Sequence, residues 1–302
     1  MLPFARVAII GLGLIGSSIA LGVRRAMPTV RLTGHDADLD VRAAAERLEL
    51  VDDVADSAGA AVTDADLVIL CVPVGAIGAV AAEIAADLPE DAIVSDVGSC
   101  KTDVARALAE ALPGARIVPA HPVAGTERSG PEAGFATLFA GRWCILTPLP
   151  DTDPTATERV ASFWQRLGAE VEVMTPEHHD RVLAVTSHLP HLIAYSIVGT
   201  ASDLEAVAER EVIKYSAGGF RDFTRIAASD PTMWRDVFLH NREAVLEMLG
   251  RFSEDLAGLQ RAIRWGDGDA LFDLFTRTRA VRRSIVEQGQ DDAREDFGRA
   301  HD

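Results

Sequence analysis

GLGLIG, residues 11–16, follows the apolar run ARVAII at 5–10 and opens a segment, 14–26, with helical spacing. A GxGxxG string alone is weak evidence; a strand before it and a helix after it give it physical meaning. Gly11 permits a tight turn, Gly13 lets a pyrophosphate approach the backbone, and Gly16 lets the helix pack close to the strand. The helix start at Leu14 and Ile15 then offers unpaired N–H groups to phosphate oxygens. Asp36 ends the next apolar run, VRLTGHD at 30–36. A carboxylate there accepts hydrogen bonds from a ribose diol and repels a 2′-phosphate, so NAD is the expected cofactor and NADP is disfavoured. Arg24 and Arg25, on the first helix, read as a solvated face.

Further strands follow at DLVILCVP (66–73), AIVSDV (92–97), ARIVPA (115–120) and RWCILT (142–147), with EVEVM (170–174) as a late one. Helical segments at 76–87, 101–111 and 154–167 separate them. Strands alternating with helices predict an α/β fold, here an N-terminal Rossmann-type doubly wound sheet over residues 1–175. Val72 and Pro73 end a strand at the edge where a dinucleotide lies. From 176 to 302 helical periodicity takes over, which predicts an all-helical C-terminal domain. The run RWGDGD at 264–269 marks a break between two of its helices, and the tail is polar and acidic.

The totals narrow the function. With 302 residues, 48% of them hydrophobic, the chain is globular and long enough for two domains. A net charge of −17 argues against nucleic acid and anionic membrane as partners. No uninterrupted apolar run reaches membrane-spanning length, and the N-terminus lacks the pattern of a secretory signal, so a cytoplasmic enzyme is expected. Three scattered cysteines suit a reducing compartment and offer no metal framework. Lysine occurs only at 101 and 214, so a group that takes a proton near neutral pH is sought among the eight histidines and the carboxylates.

Two polar loops follow strands, at the sheet edge where ligands of such folds bind. In SDVGSCK (95–101), Ser99 reads either as a helix N-cap or as a hydrogen-bonding group in a site. Lys101 would put a cation in the first helical turn, against the macrodipole, so it faces either an anion or solvent. HPVAGTERSG (121–130) has neither helix nor strand chemistry. Its His121 precedes a proline and is held extended, where a neutral imidazole can take the proton of an alcohol while hydride leaves the same carbon. The alternative is a structural histidine satisfied by backbone. His178 and His179 read as the solvent-facing start of a helix. His188 and His191 share a helix face without a third ligand that would suit a metal, and no metal is expected.

GLGLIG, DVGSCK, HPVAGTERSG, TSHLPHLIAY (186–195) and GGFRDFTRIAASDPTMWRD (218–236) together resemble the prephenate/arogenate (cyclohexadienyl) dehydrogenase family of tyrosine biosynthesis. The resemblance implies an oxidation by NAD of a cyclohexadiene that carries a ring hydroxyl and a ring carboxylate, with loss of carbon dioxide and aromatisation. It implies that His121 polarises the hydroxyl with Ser99 as hydrogen-bonding partner, and that Arg225 grips the ring carboxylate through its planar fork. His191 then contacts the substrate side chain, Thr126 and Glu127 line the entrance, Arg221 stands where relatives carry lysine, and Trp234 lies near the pocket or anchors the core. It further implies a cleft between sheet and helical domains and a homodimer through the helical domain. No fused mutase or ACT-like module is recognisable, so tyrosine feedback through such a module is not expected.

The substrate is expected to be prephenate, with arogenate as the second candidate. Two other readings stand beside this one. A β-hydroxyacid dehydrogenase shares the general layout but relies on a lysine from the helical domain, where only Lys214 occurs. A non-enzymatic dinucleotide sensor explains GLGLIG and Asp36 but not His121, Ser99 and Arg225 together.

Overall fold

The computed structural model describes residues 2–126, 128–205 and 218–287. Six strands form one parallel sheet: β1 (Arg6–Ile10), β2 (Arg31–His35), β3 (Asp53–Val54), β4 (Leu67–Leu70), β5 (Ile93–Asp96) and β6 (Arg116–Ile117). Their order is β3-β2-β1-β4-β5-β6. The order reverses between β1 and β4, which opens a crevice beyond the carboxyl ends of those strands. β1 alternates its side chains between two separate cores. Val7 and Ile9 pack with residues of α1 (Leu14–Ala26) and α6 (Pro154–Arg166), among them Ile19, Val23, Phe163 and Trp164. Ala8 and Ile10 pack with α3 (Ala58–Val62), α4 (Ile77–Ile84) and α5 (Thr102–Ala111) through Val62, Ile77, Val104 and Leu108. Burial on both faces is why the strand reads as an unbroken apolar run. Between β2 and β3 runs α2 (Leu39–Arg47), capped by the Asp38 carboxylate.

The expected run 115–120 does not stay in this sheet. β6 is two residues long, and Pro119 intervenes. The chain then enters a second, three-stranded sheet with β7 (Ala120–Pro122), β8 (Trp143–Leu146) and β9 (Glu170–Val173). β7 is antiparallel to β8, with His121 opposite Ile145, whereas β8 and β9 are parallel. Pro119 and Pro122 cannot donate to a ladder on both sides, so a continuous central strand was never available to this segment. Residues 142–147 likewise belong to the second sheet.

The helical part begins with α7 (Pro176–Leu183), which is capped by the Thr175 hydroxyl. It runs through a π-helical turn, Ala184–His188, into α8 (Leu189–Glu205). Pro190 explains the turn: it has no N–H for an i→i−4 bond, and the Leu189 N–H reaches back to the Ala184 carbonyl, five residues away. By length and composition the stretch Pro176–Leu204 could cross a membrane. Its apolar run is interrupted, however, by His179, Asp180 and His188, all buried and hydrogen-bonded. Then come α9 (Gly218–Thr224), a 3-10 turn (Arg225–Ala228), α10 (Pro231–His240), α11 (Arg242–Trp265) and α12 (Gly268–Glu287). Asn241 separates α10 from α11.

Packing divides the chain into two compact units, one ending at Leu246 and the other beginning at Glu247. All the site residues discussed below lie in the first. In the second, the rest of α11 and α12 are joined through Gly266, at φ +70, and the Asp267 carboxylate caps α12 at Ala270. The break expected at 264–269 is present. Lys214 and Glu127 lie outside the described residues.

Candidate active site

At the sheet's crevice the glycine turn fits a dinucleotide. Gly11 lies at φ +98, and a Cβ there would meet the Cys71 carbonyl oxygen at 2.4 Å. A Cβ on Gly16 would meet the Gly11 carbonyl oxygen at 1.9 Å. By contrast a Cβ on Gly13 would meet nothing within 4 Å. Open space beside Gly13 adjoins the start of α1, which has no side-chain cap and no acidic residue in its first turn. Its first N–H groups, around half-buried Leu14 and Ile15, are thus available to an anion. Asp36 is tied to this turn: one carboxylate oxygen accepts the Leu12 N–H at 2.8 Å and the other the Asp38 N–H at 3.0 Å. Arg24 is committed elsewhere, to the Leu50 carbonyl and the Asp52 carboxylate. Val72 is half-buried and Pro73 exposed just past β4.

Beyond the end of β5, the residue before His121 is held from both sides. The Asp96 carboxylate accepts the Ala120 N–H at 3.2 Å, and the Lys101 ammonium donates to the Ala120 carbonyl at 2.7 Å. Lys101 and Asp96 pair directly, and both are fully buried. Lys101 therefore faces an anion, and that anion is its own neighbour in the SDVGSCK loop. Burial pushes the Asp96 carboxyl upward, against the opposing pull of Lys101 and of the Gly98 and Ala120 N–H groups.

His121 retains 8% of its exposure, and its Nδ1 lies 2.8 Å from His179 Nε2. His179 Nδ1 lies in turn 2.9 Å from the Asp180 carboxylate. That carboxylate also accepts the Lys101 N–H at 2.8 Å and the Thr102 N–H at 2.9 Å. Asp180, from α7, is thus the cap of α5. Ser99 is not: α5 starts at Thr102, and half-buried Ser99 lies in the loop before it. Nor is His179 at a solvated helix start, because it is fully buried. Burial, with the nearby His179, Lys101 and His188, holds the His121 imidazole well below its usual pKa. Burial also lowers His179, partly offset by Asp180. Burial alone would raise the Asp180 carboxyl, but hydrogen bonds from His179, Thr102 and Lys101 outweigh it and hold the group below the usual range.

A second cluster surrounds Trp234. His191 stacks on its ring at 3.7 Å, and His188 meets it edge-on at 6.0 Å. His191 Nδ1 bonds the Ser187 carbonyl at 2.8 Å, leaving Nε2 for other partners. Burial lowers its pKa, and the charge of Arg225 adds to the effect, so the arginine's field reaches this ring. His188 Nδ1 accepts from the Asn241 amide at 3.0 Å, and the same amide donates to the Asp180 carbonyl at 2.8 Å. Burial brings His188 down to about 4. Its Nε2 has no partner of good hydrogen-bond geometry, although the Ser99 backbone lies close enough to favour the protonated ring. Trp234 is buried within a hydrophobic cluster, so it serves as an anchor. Arg225, Arg221 and Thr126 are exposed.

Sequence reasoning missed His179, Asp180 and Asn241. A signal was present for the first two, because 176, 179, 180, 183 and 184 form the inward stripe of an amphipathic helix.

A doubly wound sheet with an uncapped glycine turn, and a buried imidazole beyond its strand ends, define a dinucleotide-dependent oxidoreductase. Residues 19–173 match the family model "prephenate dehydrogenase, nucleotide-binding domain", and residues 175–277 match "prephenate dehydrogenase, dimerization domain". The chain belongs to the prephenate dehydrogenase family. It is 46% identical to the cyclohexadienyl dehydrogenase of Zymomonas mobilis, over 94% of this chain and 97% of that protein. It is 35% identical to the prephenate dehydrogenase of Bacillus subtilis, over 91% of this chain and 74% of that one. Among solved structures, prephenate dehydrogenase from A. aeolicus, in complex with hydroxyphenyl propionate and NAD+, is similar with a TM-score of 0.87 and 36% identity, over 93% of this chain and 98% of that one.

Proposed function

We infer that this chain catalyses the NAD-dependent oxidative decarboxylation of prephenate to 4-hydroxyphenylpyruvate, a step of tyrosine biosynthesis, and that it acts on arogenate as a second substrate. The observation that carries the reading is His121, a buried neutral imidazole joined through His179 to an ionised carboxylate. When bound, the cofactor supplies the hydride acceptor. His121 takes the proton of the ring hydroxyl as the C–H bond at the same carbon breaks. Loss of carbon dioxide then returns an electron pair to the ring, and the phenolate oxygen recovers that proton from His121. Hydride departure and the released carboxylate balance the charge, so no proton is gained or lost overall.

Ser99 shares the substrate hydroxyl with His121, and Arg225 orients the ring carboxylate. His191 Nε2 meets the side chain, where the keto and amino groups of the two substrates differ. Thr126, Glu127 and Arg221 line the entrance. Asp36 supports NAD over NADP, since a second anion beside a carboxylate already tied to the turn is repelled. The matched dimerization domain and the exposed Val185, Ile197, Val198 and Leu204 support a homodimer through the helical part; the likeness to biosynthetic dehydrogenases supports the cytoplasm as its compartment.

The test is NADH formation from prephenate and from arogenate, with NAD and NADP in parallel. His121→Asn should lower kcat by 10³-fold or more, on the order of 4 kcal/mol, while NAD still binds. Turnover that survives His121→Asn would refute the reading.

A further inference from the structure

The reaction above needs His121 in one particular tautomer, with its lone pair on Nε2, and nothing in His121 itself selects it. The neighbouring groups do. Asp180 is ionised and can only accept. His179 Nδ1, 2.9 Å away, must therefore carry the proton. A neutral His179 is then left with a lone pair on Nε2. His121 Nδ1, 2.8 Å from that atom, must in turn be the N–H donor. A neutral His121 has its remaining lone pair on Nε2. One carboxylate, two imidazoles away from the substrate, settles the state of the base.

We propose that His179 and Asp180 are positioning residues that lock His121 as the Nδ1–H tautomer and hold its ring in line. This rests on the assignment of His121 as the base. The lock is itself anchored. Asp180 receives the first N–H groups of α5 from Lys101 and Thr102, and the Asn241 amide fastens its carbonyl. Its carboxylate cannot rotate away without uncapping a helix. The charged and titratable groups facing this chain are Asp96 from the end of β5, Lys101 at the start of α5, and His188 from the π-helical turn. Lys101 and His188 both oppose a second positive charge on His121. Asp180 is the negative charge that offsets them when His121 holds the substrate's proton, acting through the intervening ring.

Asp180→Asn keeps one acceptor oxygen, for the Lys101 N–H, and sets an NH2 against the Thr102 N–H; it removes the charge and frees His179 to adopt either tautomer. We expect kcat to fall 10²–10⁴-fold, as for loss of an orienting carboxylate behind a catalytic imidazole. KM for prephenate and the Kd for NAD should stay within about threefold, and the acidic limb of kcat/KM should move to lower pH. His179→Gln, whose amide oxygen can accept the His121 Nδ1–H, should recover at least tenfold over His179→Leu. Nitrogen-15 spectra of the histidine-labelled wild-type protein should find both rings protonated on Nδ1 alone, a readout that does not depend on any variant folding. Equal rates for the glutamine and leucine variants, full turnover in Asp180→Asn, or an Nε2–H signal from His121 would overturn the proposal. His121→Asn separates the two readings: if it abolishes turnover while Asp180→Asn does not, the base assignment stands and the lock fails.

Discussion

Replacing Lys101 by methionine isolates the buried pair on which the placement of His121 rests. Lys101 and Asp96 are both fully buried, so neither charge has water to replace the other. Methionine fills a similar volume, which keeps any cavity small; the losses are the charge partner of Asp96 and the hydrogen bond to the Ala120 carbonyl. Removing one member of a buried pair costs about 3–5 kcal/mol. Asp96 keeps the Gly98 N–H at 2.7 Å and the Ala120 N–H at 3.2 Å, and burial already favours its protonated form, so the lower end, about 3 kcal/mol, is expected. At roughly 2–4 °C per kcal/mol, the Tm should drop on the order of 6–12 °C. The assay is a thermal melt at pH 7 and fixed protein concentration, because an oligomer's Tm depends on concentration. The double variant Asp96→Asn, Lys101→Met carries no stranded charge and should recover about half of the loss. A single variant melting within about 2 °C of the wild type (less than about 1 kcal/mol) would refute the argument, as would a double variant less stable than the single one.

Two further outcomes follow from the same geometry. Asp36→Asn keeps an oxygen for the Leu12 N–H but removes the charge, so the ratio of kcat/KM for NADP to that for NAD should rise about tenfold, about 1.4 kcal/mol; an unchanged ratio would deny Asp36 its role in cofactor choice. His188, fully buried, has a folded pKa of about 4, below the ordinary histidine value, so the unfolded chain binds its proton first as pH falls. Its contribution to stability is complete above about pH 6.5 and is lost toward pH 4, and His121 and His179 act in the same direction. Urea midpoints at pH 7 and 4.5 should therefore converge for His188→Gln relative to wild type, by on the order of 2–3 kcal/mol; parallel losses in the two proteins would contradict the buried neutral ring.

The cofactor end was legible because its chemistry is local. Gly11, Gly13 and Gly16 serve a turn whose partners are a few residues away, and the acid at 36 ends the adjacent strand. The histidine chain was less legible because it joins positions 121 and 179, on a strand and a helix that no sequence spacing relates. Lys101 lay between the two cases. Its partner, Asp96, stood five residues upstream in the same loop, but nothing in the string says that the loop folds inward and buries both. Ser99 looked like a cap because a serine before a helix commonly is one; the cap came instead from another helix, through Asp180. The apolar run at 115–120 suggested one strand, and its proline divided that run between two sheets.

The clamp on Ala120 has an evolutionary corollary. It fastens the main chain immediately before His121, whereas Val123, Gly125, Thr126 and Arg128, just after, are exposed. Exchanges in that rim leave the hydrogen bonds that place the imidazole intact, so the loop is free to vary in sequence while the residue before the histidine stays fixed.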